Sequence, residues 1–186
     1  MYRRRIFRPS GSRRRWRAPL VALAGTLLVA ALSGLGLPSD LFGSAPRGQD
    51  WSALAAEVRV VDGDTLRLGD RTLRLADIDA PERGQTCTDA AGRPFDCGAA
   101  AAEALSRLVN GRSVVCRVEG RDRFGRGLGT CTAGGVDLNA GLVAAGWALA
   151  YDNDVRMSAY EAQARIGNRG LWAGGFTRPE EWRRRN

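Results

Sequence analysis

Histidine is absent from the chain. Its loss removes the side chain that most often serves as a general base near neutral pH and as a transition-metal ligand. A C-x-x-C pair is absent too, and the four cysteines (Cys87, Cys97, Cys116, Cys131) stand at irregular intervals. A zinc site would have to use all four thiolates at that spacing, which argues against one. No acidic residue precedes Asp40, and no charged residue of either sign occurs from Ala18 to Ser39.

What is present is distributed unevenly. The formal net charge of +8 suggests a nucleic-acid footprint, but eight arginines (Arg3, Arg4, Arg5, Arg8, Arg13, Arg14, Arg15, Arg17) crowd the first 17 residues. Beyond them 20 cationic residues balance 20 acidic ones, so any basic patch on the folded part is local. The uncharged run of 18–39 meets the ~20 residues that a membrane-spanning helix needs. With the arginine cluster held inside, residues 1–17 read as a cytoplasmic tail and 18–39 as a membrane anchor. The remainder then faces the periplasm or the exterior. A cleaved signal peptide and a secreted product are the alternative, with a small-residue site at Ala53–Ala55 far downstream. Either reading exports the domain, and an even cysteine count in an exported domain points to two disulfides, with three connectivities open.

Residues 40–56 mix Pro, Gly and Ser without periodicity and read as a linker, which places the domain at 57–186. Val58 and Val60, then Leu66 and Leu68, alternate with polar neighbours on either side of "DGD", and "RTLRLADI" continues the pattern. An irregular stretch leads to an alanine-rich helix over about 98–109. "SVVCRV" and "GLGTCT" are two further strands around "EGRDRFGR". "NAGLVAAGWALAY" reads as a helix interrupted or ended at Gly146, and a last helix covers about 158–168. The expected fold is α+β: a five-stranded barrel of the oligonucleotide-binding (OB) type with about three packed helices. In that frame Cys116 and Cys131 face each other across a hairpin, while Cys87 and Cys97 bracket the irregular stretch. Pairs Cys87–Cys97 and Cys116–Cys131 are therefore favoured over the crossed connectivities.

Taken singly, "DGDT", "DAPE" and "DRFGR" are ordinary turns and solvated loops. In this order, "VVDGDTLRL", "RLADIDAPE", "DRFGRGLGTC" and "DLNAGLVAAGWA" resemble the staphylococcal nuclease (thermonuclease) family from about Glu57 to Trp172. The resemblance implies an OB barrel and calcium-dependent hydrolysis of DNA and RNA. It also implies roles: Asp64 and Asp79 as calcium ligands with the Ala80 carbonyl, Glu82 as general base, and Arg74 and Arg126 as the phosphate clamp. Asp62 and Asp122 take supporting positions. Phe124 stands where the family often carries tyrosine, which leaves stacking but no hydroxyl. Arg123 and Tyr151 are further candidate substrate contacts, Tyr151 on a looser local match.

The chemistry agrees with these roles. Calcium takes oxygen ligands, which carboxylates and a carbonyl supply. Arginine binds two phosphate oxygens without surrendering its proton. A carboxylate beside a bound water can accept its proton, and without histidine Glu82 is the best candidate. Asp77, two residues before Asp79, is expected to pair with an arginine, with the metal's outer shell as the alternative. Trp147, Trp172 and Trp182 are expected to serve packing. The expectation is thus a monomeric, exported, calcium-dependent nuclease acting on DNA and/or RNA and tied to the membrane by its N-terminal segment. The alternative is a non-catalytic nucleic-acid-binding module at the cell envelope.

Overall fold

The computed structural model describes residues 48–151 and 154–186. The 1–17 tail, the 18–39 apolar segment and the first part of the 40–56 linker lie outside the described residues. Among those described, no helix is long and apolar enough to cross a membrane.

Alternation of apolar and polar residues builds the main sheet. Its first four strands are β1 (Gln49–Ala53), β2 (Val58–Asp62), β3 (Thr65–Leu68) and β4 (Arg71–Leu75). After a two-residue β5 (Ile78–Asp79), β6 (Thr86–Thr88) and β7 (Pro94–Asp96) form a small ribbon that leads into α1 (Cys97–Val109). The long hairpin of β8 (Val114–Arg121) and β9 (Gly127–Ala133) follows, extended by β10 (Val136–Asp137). The order is β1-β8-β9-β4-β3-β2, with β10 added to β9. Only β4 and β9 run parallel in this sheet. The sheet curls so that β1 approaches β3, which gives an OB-like half-barrel. Leu66, Leu73, Leu75, Leu105, Val114 and Leu142 fill it and are fully buried.

Each longer helix starts on an aspartate whose side chain accepts a backbone N–H, the arrangement that satisfies the free donors of a first turn. Asp96 caps α1 through Ala99 N (2.8 Å), and Asp154 caps α3 (Val155–Ile166) through Met157 N (2.9 Å). Between them, α2 (Leu138–Ala144) is capped by Asp137 through Ala140 N (3.0 Å). Along α1, Ala101, Ala104 and Leu105 are buried against the sheet, as their helical spacing predicts.

Two expectations need correction. The linker reading fails over Gln49–Ala53: Trp51 and Ala53 turn inward as β1 pairs with β8, so the body begins before Glu57. The main sheet has seven strands rather than five, and a fourth helix, α4 (Pro179–Arg185), joins the three expected. The helix in "NAGLVAAGWALAY" does end at the expected break: it stops at Ala144, Gly146 takes φ +78°, and the chain straightens into β11 (Leu149–Ala150) against β5. A cut at the small-residue motif Ala53–Ala55 would strip β1 from β8.

Trp147 and Trp172 do pack, as expected. They surround a second small core of Cys87, Cys97, Leu149 and Leu171, with Trp147 edge-on to Phe95 and Trp172 edge-on to Phe176.

Both expected disulfides are formed, Cys87–Cys97 and Cys116–Cys131. Cys116 and Cys131 are direct partners across β8 and β9, and Cys87–Cys97 ties the small ribbon to the start of α1. Reduction is expected to lower the unfolding free energy by about 2–3 kcal/mol per bridge, read as a fall in the urea midpoint. Non-reducing peptide mapping checks the pairing directly, since a peptide joining Cys87 to Cys116 or Cys131 contradicts it.

Candidate active site

The "DGDT" turn joins β2 to β3 and is shaped from within. Asp62 Oδ1 accepts the N–H of Asp64 (3.1 Å), which closes the turn on itself. Gly63 has no room for a side chain: a Cβ there would lie 2.7 Å from that of Ala80 and 2.8 Å from that of Ala101. The turn can therefore sit directly on the loop after β5 and on α1. Asp64 follows, buried, with Oδ2 accepting the N–H of Ala80 (3.3 Å) and Oδ1 accepting the Thr65 hydroxyl (2.9 Å).

Asp79 arrives from the other side on β5, opposite Leu149 of β11. The loop before β5 is held by buried Asn139, which donates to Ala76 O (2.8 Å) and accepts Cys131 N (3.1 Å). Arg74, in β4, then ties the two acids together. Its Nη1 donates to Asp64 Oδ1 (2.9 Å), and its Nη2 reaches Asp64 Oδ2 (2.7 Å) and Asp79 Oδ1 (2.8 Å). Burial pushes the Asp64 carboxyl up to about 7, against the opposing pull of Arg74 and the Ala80 N–H. For Arg74, burial disfavours the charge, but Asp64 and Asp79 more than offset this and raise its pKa.

The backbone of Glu82 is held by its neighbours. Its N–H donates to Oε1 of fully buried Gln85 (3.2 Å), whose Nε2 donates to Thr177 O (2.7 Å). Gly98, in the first turn of α1, lies against the Glu82 carbonyl so closely that a Cβ would overlap it.

Arg126 closes the opposite wall, at the end of the β8–β9 loop. Asp122 organises that loop by accepting the N–H groups of Phe124 (2.9 Å) and Arg126 (3.0 Å) and the Arg126 Nε (2.7 Å). Burial works to raise the Asp122 carboxyl, but these hydrogen bonds hold it below the ordinary aspartate value. Arg126 Nη1 also reaches the Thr65 hydroxyl (3.4 Å). Phe124 is 70 % exposed, its ring flanked by the guanidinium groups of Arg123 and Arg126 at 4.8 and 5.6 Å from the centroid.

Arg74, Glu82, Arg123, Phe124, Arg126 and Tyr151 all line one cleft of about 710 Å³. The structure thus gathers every side chain singled out for catalysis and substrate contact into a single space. Asp64 and Asp79 adjoin it through Arg74. Asp77 departs from its expected pairing: it forms no ion pair within 4.0 Å among the described residues. It takes φ +62° after β4 and faces Asp154 and Glu119 as well as Arg156; burial first, then those two acids, raise its pKa. Arg183 of α4, also on the cleft wall, was not foreseen. Its Nη1 reaches Asp79 Oδ1 (3.0 Å) and Glu82 Oε1 (2.6 Å), and its Nη2 reaches Asp79 Oδ2 (3.0 Å). A sequence signal existed: Arg184 and Arg185 have Glu180 and Glu181 four residues earlier, whereas Arg183 has Pro179.

Residues 72–174 match the family described as staphylococcal nuclease homologue. The chain belongs to the staphylococcal nuclease family. A micrococcal nuclease of Shigella flexneri is 34 % identical over 84 % of this chain and 94 % of its own. An uncharacterized endonuclease of Escherichia coli O157:H7 is 35 % identical over 66 % of this chain and 82 % of its own. The succinoglycan biosynthesis protein ExoI of Rhizobium meliloti is 32 % identical over 88 % and 84 %. As a staphylococcal nuclease family member the chain is a nuclease, a hydrolase of phosphodiester bonds.

For a staphylococcal nuclease the donor set is the remaining question. Among the described residues no group of three or more Asp, Glu, His or Cys is gathered to hold a metal. The set implied by the resemblance is smaller, two carboxylates and a carbonyl. Asp64 and Asp79 both lie within 2.8 Å of the single nitrogen Nη2 of Arg74, so their oxygens already converge on one positive point. Buried, hard oxygen donors converging in this way fit calcium.

Beyond the phosphate-clamp role that the resemblance implies, the place of Arg74 between two buried acids gives it a structural share. Arg74→Ala is expected to cost about 3–5 kcal/mol, since it leaves buried charge unpaired; urea unfolding measures it. For Asp122, a depressed folded pKa means that its contribution is present above the unfolded value near 3.8 and is lost as pH falls through the folded one. The stability gap between wild type and Asp122→Asn is therefore expected to be full at pH 6 and to close below about pH 4, as followed by thermal unfolding.

Proposed function

We propose that the domain is a calcium-dependent nuclease that cleaves DNA and/or RNA outside the cytoplasm, working as a monomer on the reacting phosphate. The observation that carries this reading is the convergence of Asp64 and Asp79 beside a cleft lined by Arg74, Glu82 and Arg126. A phosphodiester is an anion, so water attacks it slowly unless its charge is offset and the nucleophile is positioned. Calcium held by Asp64, Asp79 and the Ala80 carbonyl would supply Lewis-acid polarisation of a phosphoryl oxygen.

The chain's own groups do the rest. Arg126, oriented by Asp122, presents its guanidinium to the cleft as one arm of the phosphate clamp, and Arg74 provides the other. Both stay protonated as negative charge develops. Glu82 accepts the proton of a water in the cleft, its backbone fixed by Gln85 and Gly98. Exposed Phe124 offers a face on which a base can stack, and Tyr151 lies on the same wall beside Arg74. Export is supported by the arginine cluster followed by the uncharged run of 18–39, and by two disulfides in the domain.

Purified protein is expected to degrade DNA and RNA with calcium and to stop when a chelator is added. Glu82→Gln keeps a hydrogen-bonding group for Arg183 and is expected to lower turnover by about 10²–10⁴-fold while leaving the unfolding midpoint nearly unchanged. Wild-type turnover in this folded variant would remove Glu82 from the mechanism.

A further inference from the structure

Arg183 engages the two acids that matter most to the reading above. Its guanidinium binds both oxygens of Asp79 and one of Glu82, so it spans the proposed cation ligand and the proposed base with a single group. Asp79 is left with little to offer another cation. Its Oδ1 already accepts from Arg74 and Arg183, and its Oδ2 from Arg183. One lone-pair direction on Oδ2 is left, but an ion there would face the positive Arg183 guanidinium at close range, so binding at Asp79 favours displacement of one of the two guanidiniums. Arg74 is the harder to move: it is also held by Asp64, and its side chain is 14 % exposed against 35 % for Arg183.

The helix that carries Arg183 is lightly attached. Pro179 is the buried residue of α4, and the rest of the helix is exposed or only half-covered. Its approach to the site is set by Gln85, which binds Thr177 O, and by Gly175, which bridges Thr88. Neighbouring Arg184 and Arg185 are paired within the helix, so Arg183 alone is directed at the site.

We propose that Arg183 is a built-in counter-cation of the metal site: it occupies Asp79 and Glu82 in the metal-free protein and competes with the divalent cation that binds there. The inference rests on Asp79 being a ligand of that cation. Two consequences follow from linkage. Arg183 weakens apparent calcium affinity, because the ion must break the Arg183 contacts before it binds, and calcium weakens the hold of α4 by the same factor. Release of Arg183 also frees Glu82, so the base becomes available only when the cation is in place.

The test is calorimetric titration of calcium into the chelator-stripped full-length chain and three variants, each first shown to be folded by thermal unfolding. Arg183→Ala is expected to bind calcium at least about fivefold more tightly than wild type, a coupling of ordinary size. Arg184→Ala removes the same charge from the same helix and is expected to stay within about twofold, as exposed charges at this distance are screened. Asp79→Asn is expected to abolish binding. If Asp79→Asn leaves calcium binding intact, the metal reading falls and this inference with it. If Asp79→Asn abolishes binding but Arg183→Ala leaves affinity unchanged or weaker, the counter-cation role alone is overturned. An equal gain in Arg184→Ala overturns it too, since the effect would then be general charge rather than contact.

Discussion

Two buried carboxylates held side by side repel each other, and both pay heavily for lost hydration. Asp64 and Asp79 are in that position, and Arg74 is what lets the protein tolerate it. Its planar fork reaches Asp64 through two nitrogens and Asp79 through one of the same pair, which a single ammonium point could not do as well. The location of Arg74 follows from the sheet. It lies in β4, opposite Thr65 of β3 and beside Leu128 of β9, so both neighbouring strands fix its backbone. Small residues complete the arrangement: Gly63, Ala80 and Ala101 meet where a larger side chain would force the two acidic turns apart.

The Glu82 side of the cleft is secured differently. No strand carries Glu82; the segment is bound by Gln85, by the close approach of Gly98, and by the Cys87–Cys97 bridge just beyond. Gln85 has no solvent exposure; its amide accepts the nearby Glu82 N–H and donates to Thr177 O, 92 residues further along the chain. Truncating it would orphan buried polar groups at both ends. The base and the C-terminal helix are therefore coupled through one side chain as well as through Arg183.

Much of this was legible in the sequence, for identifiable reasons. Asp62, Gly63 and Asp64 are recognisable because a tight turn and an acidic pair need those residue types together, and the alternating Val and Leu residues around them fix the strands. The Cys116–Cys131 bridge follows from hairpin geometry, and Cys87–Cys97 from its bracketing of one short irregular stretch. Other features carry no such local mark. β1 is five residues with two inward side chains, too short for periodicity to stand out from a Pro- and Gly-containing segment. β11 is two residues long and exists only as the partner of β5, so past the helix break at Gly146 the sequence has no local pattern that marks it. Arg183 lies 104 residues from Asp79, and a run of three arginines gives little reason to choose one of them unless their i−4 partners are compared. Asp77 shows the converse, an acidic residue in a conspicuous motif whose structural role is a left-handed turn rather than an ion pair.

The two bridges close spans of only 10 and 15 residues, whereas the contacts that complete the domain are the β1–β8 and β4–β9 pairings and the docking of the C-terminal segment on Gln85 and Asp79. Covalent links are thus local and distant closures are reversible. Closing a short loop costs less chain entropy than bringing distant strands together, and non-local pairing is the slow part of folding such a barrel. Oxidation can therefore run ahead of folding without committing the chain to a wrong topology: each bridge, once made, leaves the β4–β9 crossing and the C-terminal docking free to be tried, broken and tried again.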